Sequence, residues 1–384
     1  ERLHRLSPKK TPHCPPSPKL TAPSFLGRTA ECGIRSRNME LKNFDFRQKL
    51  MFHPEHLIAL RNGKRPFPIT CEIDLTNLCN HDCYFCVVKE MREEHKTSLE
   101  TPVILRAIKQ MKSMGMKGIS FTGGGEPLVH KDFYSILAYT HDLGIHTGLM
   151  TNGALLQKNQ ELLPHLNWIR ISVGAGSREL YQKIQGKDDF DRVIENVYML
   201  GEQRQQSGAV VNIGVRMLLD LDNYHTLPQL AEILRKSKID YIQAAPDCRD
   251  DNYPILQAAD YQEVIQETEN ILRGTNTKLL MAGFTQNQKD RAYPQRCYAH
   301  CYQIAITATG NVAFCKNMRG SEEMSIGNIY QNTIEEIWNS ERCLALEARL
   351  DPQTCHSICK NMQINVAIED FLNPTNDMSV NFVG

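Results

Sequence analysis

An excess of charge of either sign is missing from this chain. It has 44 Lys and Arg against 44 Asp and Glu, a formal net charge of +0. Such a balance offers no electrostatic footprint for nucleic acid or an anionic membrane. Long apolar runs are also missing, and none approaches the ~20 residues that a membrane-spanning helix needs. No apolar secretory core follows the first residues. No G-x-x-x-x-G-K-[ST] segment occurs, which removes the usual phosphate loop. Aromatic residues are sparse at 7%.

The chain is rich in cysteine, with 13 in 384 residues, and 41% of it is hydrophobic. That length suits one large or two ordinary domains with a sizeable core. So many thiols without an export signal point to a reducing, cytoplasmic setting and to metal ligation rather than disulfides. Residues 1–38 stand apart. They hold Pro8, Pro12, Pro15, Pro16, Pro18 and Pro23 and eight Lys or Arg against two Glu. With no apolar periodicity, this stretch is expected to be disordered. Met39 is then a natural start behind a translated leader; a basic targeting arm is the other reading. Cys14 and Cys32 receive no role.

Cys79, Cys83 and Cys86 form a C-x3-C-x2-C triplet within ten residues. Iron–sulfur cubes are normally held by four cysteines. A cube on three leaves one iron open to a small molecule with an amine and a carboxylate, such as S-adenosylmethionine (SAM). Zinc is the rival, with His81 as a fourth ligand. His81 lies too close to Cys79 for an easy chelate, and no matching pair follows nearby.

From residue 69 the pattern alternates strand and helix. Strands are expected at 69–75, 118–122, 146–151, 168–173, 210–219 and 241–245. Helices are expected at 101–114, 131–143, 155–163, 177–185, 190–205 and 226–237. Repeated β-α units imply a parallel sheet with right-handed crossovers. The chemically active residue types follow the strands, where barrels place their sites: the cysteines, then Gly123-Gly124-Gly125-Glu126-Pro127, then Asn152, Ser172 and Asp247-Cys248. Glycines let backbone approach a ligand, and Glu126 adds an acceptor for an amine.

The triplet, with Phe85 before its last cysteine, and Gly124-Gly125-Glu126-Pro127 after the second strand resemble the radical SAM superfamily. The resemblance implies an α/β fold, a partial (β/α)6 TIM-like barrel. It implies a [4Fe–4S] cluster on Cys79, Cys83 and Cys86. SAM would be received at Gly124, Gly125, Glu126 and Pro127, with the Phe85 backbone at its adenine. Asn152, Ser172 and Arg216 fall where relatives contact the rest of the cofactor; a salt bridge is the plain alternative for Arg216. An electron donor such as flavodoxin or ferredoxin is the implied partner, besides a small-molecule substrate.

A second group comprises Cys297, Cys301, Cys315, Cys343, Cys355 and Cys359. Ile304–Thr307 and 310–314 read as a hairpin around Gly310 that brings Cys297 and Cys315 together. A helix over 333–348 leads to Cys355 and Cys359. The segment is similar to the SPASM/twitch extension of radical SAM enzymes, a small cysteine-rich α+β domain. That similarity implies one auxiliary [4Fe–4S] cluster on Cys297, Cys315, Cys355 and Cys359, with Cys301 as the alternative to Cys297. A zinc ribbon is the competing reading. Cys71 and Cys343 are expected in the core.

The expected organisation is therefore a leader (1–38), a lead-in (39–68), a barrel (69–250), a helical linker (251–290), an auxiliary-cluster domain (291–370) and a tail (371–384). The expected function is hydrogen abstraction from a small polar substrate, as a dehydrogenase or epimerase of a sugar or aminocyclitol. Cys248, beside Asp247, Asp250 and Asp251, is the candidate hydrogen donor for epimerisation. A maturase of a ribosomal peptide is the alternative. A non-catalytic iron–sulfur or zinc electron-transfer protein is the alternative from another class.

Overall fold

The computed structural model describes residues 49–158, 162–247, 258–281, 294–355, 359 and 361–373. The leader and Cys248 lie outside the described residues. In chain order the elements are α1 (Pro54–Arg61), β1 (Thr70–Asp74), α2 (Lys89–Glu94), α3 (Thr101–Ser113), β2 (Gly118–Thr122), α4 (Phe133–Asp142), β3 (His146–Thr151), β4 (Trp168–Ser172), α5 (Arg178–Gln185), α6 (Phe190–Ser207), β5 (Asn212–Leu219), α7 (Leu227–Leu234), β6 (Tyr241–Pro246), α8 (Ala258–Leu272), β7 (Lys278–Met281), β8 (Gln303–Ile306), β9 (Asn311–Ala313), β10 (Ser325–Asn328), α9 (Ile334–Trp338), α10 (Glu341–Arg349) and α11 (Met362–Leu372).

The strands follow from their alternation. In β1, Cys71 and Ile73 point one way and Glu72 and Asp74 the other. The first set joins Ile119, Phe121, Leu149, Ile169, Ile171, Ile213, Val215 and Met217 in the core under the helices. From α3, Ile104, Ala107, Ile108 and Met111 complete that layer, each large side chain contributing about 1.5–3 kcal/mol. The opposite face carries Glu72, Ser120, Arg170, Ser172, Arg216 and Gln243, aligned by the strand register. This polar face lines the lumen.

Among the described residues the strands form one sheet, ordered β10-β9-β8-β1-β2-β3-β4-β5-β6-β7. β1 to β7 are parallel, as in a partial TIM-like barrel. Two expectations are corrected. The stretch read as a helical linker holds α8 and then β7, which pairs with β6; four residues with only Leu280 buried leave little alternation to read. The cysteine-rich segment joins the barrel sheet, with β8 parallel to β1. The helices expected at 155–163 and 333–348 are also broken. The first gives way to short 3-10 turns at Leu156–Lys158 and Leu163–His165, with Pro164 unable to donate to a continuing helix. The second restarts where Ser340 Oγ accepts from the Cys343 amide at 3.1 Å, capping α10.

Glycines set two side chains against the lumen wall. A Cβ at Gly148 would overlap the Trp168 indole, and one at Gly214 the Tyr241 ring. Gly148→Ala should therefore cost about 1–3 kcal/mol by overpacking, read as a lower thermal midpoint of the purified protein. An unchanged midpoint would show that the indole can move aside.

Candidate metal centres and cofactor site

The triplet lies on the loop after β1, with Cys79, Cys83 and Cys86 each half-buried. Two neighbours grip this loop. On one side the Gly125 amide donates to Thr76 O at 2.7 Å and the Glu126 amide to Leu78 O at 2.9 Å. A Cβ at Gly124 would overlap the Asn77 side chain, and one at Gly125 the Leu78 carbonyl. The glycines are thus demanded by the cysteine loop itself. On the other side the Asp82 and Tyr84 amides donate to Gln185 O and Ile184 O at 3.2 and 3.0 Å. Those carbonyls end α5, where helix acceptors lack internal partners. Gly186 closes that helix in the left-handed region, at φ 70°.

Glu126 is buried, and its carboxylate is fully engaged. It accepts from the Leu128 amide at 3.2 Å, Thr151 Oγ1 at 2.7 Å and the Asn152 amide at 2.7 Å. Burial pushes its carboxyl up to about 7 against those three donors. Pro127 opens a buried 3-10 turn directly behind it. Asn152 reaches across to the cysteine loop, donating from Nδ2 to Asn80 Oδ1 at 2.7 Å. The Phe85 ring packs against the core. Ser172 and Arg216 are register partners on the lumen face of β4 and β5. Gln185, which no sequence signal marked, bridges two of these groups: its Nε2 donates to Ser172 O at 3.0 Å, and its Oε1 accepts from the Cys83 thiol at 2.8 Å.

His81 does not turn to the triplet. Its Nε2 meets Asp189 Oδ2 at 3.1 Å, and the same carboxylate accepts from Tyr181 and Arg192. The zinc reading loses its fourth ligand. Among the described residues no group of three or more His, Cys, Asp or Glu side chains converges on a point for a single metal ion. A cube needs no such convergence, since each thiolate binds a different iron. Burial pushes Cys83 up to about 12. Its proton would leave only to a strongly thiolate-binding group.

Cys297, Cys315, Cys355 and Cys359 all line one cavity, with Met318, Met324, Leu350 and Met362 around them. Cys301 does not line it. It is buried against Leu50, Leu57, Ile364 and Ile368, with its sulfur 3.3 Å from His300 Nε2. Burial pushes Cys297 up to about 12 and Cys355 to about 11. Asn361 and Asn365 also line the cavity, and Asn365 Nδ2 donates to Cys297 Sγ at 3.5 Å. An all-thiol set in a mostly apolar shell fits an iron–sulfur cluster. Cys71 is core, and Cys343 is buried with its sulfur accepting from Arg65 Nη1 at 3.1 Å.

The two cysteine groups are joined by charge. Directly after Cys315, Lys316 Nζ pairs with Glu72 at 3.0 Å. Arg319 pairs with Asp74 Oδ1 at 2.7 Å and also with Glu72. Burial alone would raise Glu72, but Lys316 and Arg319 outweigh it and hold it at about 2. Burial pushes Asp74 up to about 6 despite Arg319. Both acids stand on the strand that leads into the triplet. Removing the guanidinium leaves Asp74 buried without its cation, so Arg319→Gln should cost about 3–5 kcal/mol. Adding Asp74→Asn should restore part of the loss in thermal unfolding; simple additivity would show that the pair is not coupled.

The radical SAM superfamily profile matches residues 73–234, and the SPASM iron–sulfur cluster-binding domain profile matches residues 297–361. The chain is 37% identical over 128 residues to a protein of Saccharolobus islandicus named "Probable GTP 3',8-cyclase", covering 33% of this chain and 41% of that one. It is 27% identical over 191 residues to an Fe-coproporphyrin III synthase of Methanosarcina barkeri, covering 48% of this chain and 45% of the other. The chain thus spans less than half the length of these curated relatives. Among solved structures, Streptococcus suis SuiB bound to S-adenosylmethionine superposes with a TM-score of 0.59 at 18% identity, covering 78% of this chain and 73% of SuiB. That likeness concerns the fold. A radical SAM domain brings a [4Fe–4S] cluster and SAM, and a SPASM domain brings auxiliary iron–sulfur chemistry. No helix among the described residues is long and apolar enough to cross a membrane. With one profile ending on β1 to α7 and the other on the four-thiol cavity, the chain belongs to the radical SAM superfamily and carries a SPASM domain at its C-terminal end.

Proposed function

We propose that the chain cleaves SAM reductively at Cys79, Cys83 and Cys86 and removes a hydrogen atom from a small polar substrate in the barrel lumen. The observation that carries this reading is the pair of backbone bonds from Gly125 and Glu126 to Thr76 and Leu78, which locks the cysteine loop to the glycine turn at the mouth. When bound, the cluster and SAM supply one electron and a 5′-deoxyadenosyl radical. The protein supplies placement. Backbone carbonyls of the glycine turn would receive the amine of SAM, since the Glu126 carboxylate is already engaged within the fold. Ser172 and Arg216, register partners on the lumen face, would hold the remaining part of the cofactor. The half-buried lumen face holds the substrate and limits water near the reacting atoms. Cys297, Cys315, Cys355 and Cys359 hold the auxiliary cluster. A flavodoxin or ferredoxin supplies the electron in a reducing cytoplasm.

The narrower reading as a sugar or aminocyclitol dehydrogenase or epimerase finds no support in the relatives, whose printed activities are those of a cyclase and a synthase. Cys248, its candidate hydrogen donor, lies outside the described residues.

Two measurements test the reading. Protein reconstituted anaerobically, then given dithionite and SAM, should form 5′-deoxyadenosine, and Cys83→Ala should abolish it. Zinc without iron, and no 5′-deoxyadenosine, would leave a non-catalytic metal protein. Iron analysis should give about eight irons for two cubes against about four for one. Cys355→Ala should lower that count by about four while sparing some SAM cleavage; an unchanged count would remove Cys355 from the auxiliary site.

A further inference from the structure

The stretch of chain that carries Cys297 is received by one row of side chains. Asn361, which caps the start of α11, and Asn365 and Glu369 within that helix are spaced four residues apart and so share a face. Asn361 Oδ1 accepts from Gln303 Nε2. Asn365 Oδ1 accepts from the Tyr298 amide at 2.8 Å, and Glu369 Oε1 from the Arg296 amide at 3.0 Å. The middle member of the row also reaches the thiol. Asn365 is 2% exposed, and its Nδ2 donates to Cys297 Sγ at 3.5 Å.

Chemistry fixes which way that amide points. A backbone N–H can only donate, so the atom of Asn365 that meets Tyr298 is the oxygen. The nitrogen is left for the sulfur. The cavity gives this bond weight. Among the described residues its lining consists of the four cysteines, apolar side chains, and Asn361 and Asn365, with no Lys, Arg or His. The negative charge of a four-thiolate cluster is met there by dipoles rather than by cations. In a shell of low dielectric each such hydrogen bond is stronger than it is in water. Reduction adds one more negative charge, so an N–H aimed at a ligand sulfur stabilises the reduced form over the oxidised one.

We propose that Asn365 tunes the auxiliary cluster. Its Nδ2–H···Sγ bond to Cys297 raises the cluster's reduction potential and favours uptake of one electron. No covalent bond forms or breaks in this step; the reductant loses the electron and the cluster gains it. The inference rests on the reading of Cys297, Cys315, Cys355 and Cys359 as the ligands of that cluster.

The test is a redox titration followed by electron paramagnetic resonance, with dithionite as the reductant, on the full chain reconstituted anaerobically with iron and sulfide. Cys79→Ala, Cys83→Ala and Cys86→Ala are introduced together, which leaves the auxiliary cluster as the iron–sulfur signal. In that background Asn365→Leu should lower the potential by about 59 mV, equivalent to tenfold weaker electron affinity in a one-electron couple. Asn365→Asp keeps an oxygen for the Tyr298 amide but turns a second oxygen, in place of the donor, toward Cys297. It should lower the potential at least as far. Iron content is measured on each variant, and the contacts at Asn361 and Glu369 should keep the Cys297 segment docked when Asn365 changes. Asn365→Asp carries the test if Asn365→Leu does not hold iron. An unshifted or raised potential in either variant that keeps its iron would overturn the inference and leave Asn365 as an anchor for Tyr298. Loss of iron from both variants would overturn it in the same way. Absence of any cluster from the alanine background itself would sink the auxiliary-cluster reading as well, whereas an unshifted potential on an intact cluster would sink only the tuning role.

Discussion

Two glycines without side chains allow this protein to bring its first cysteine loop and its second β-α turn into backbone contact. Gly124 and Gly125 press against Asn77 and Leu78 so closely that any Cβ would overlap them. The contact lets the Gly125 and Glu126 amides reach the Thr76 and Leu78 carbonyls. Glu126, turned inward, then ties the end of β3 into the same assembly through Thr151 and Asn152. Three strand ends are thereby fixed relative to one another before any cofactor is considered. A buried polar network of this kind is costly unless every member is satisfied, and here the carboxylate finds three donors.

A second constraint comes from α5. Its final carbonyls need partners, and the cysteine loop provides them through Asp82 and Tyr84. His81, on the same loop, is committed to Asp189. The arrangement also brings Gln185 against Cys83. The loop that presents the thiols is therefore held by backbone on both sides.

The auxiliary site is part of the same body. β8 pairs with β1, so the hairpin that presents Cys315 extends the barrel sheet rather than docking on it. Lys316 and Arg319 then enter the lumen and meet Glu72 and Asp74. The strand that delivers Cys79, Cys83 and Cys86 is thus clamped by the segment that follows Cys315.

The sequence by itself determined the elements whose signals are local. Alternation marked β1, the strand–helix order marked β2 to β6, the spacing of Cys79, Cys83 and Cys86 marked the metal chemistry, and the run after β2 marked a close backbone approach. The family resemblance grouped Cys297, Cys315, Cys355 and Cys359, with Cys301 as the alternative to Cys297, and the four line one cavity. Contacts across long stretches of chain were decided only by the tertiary structure. Nothing local could separate Cys297 from Cys301, four residues apart, until packing buried one in an apolar cluster and turned the other to the cavity. Nothing local paired Arg319 with Asp74, or showed that Glu126 faces inward. Those outcomes depend on which surfaces the sheet brings together, and periodicity along one segment carries no record of its distant neighbours.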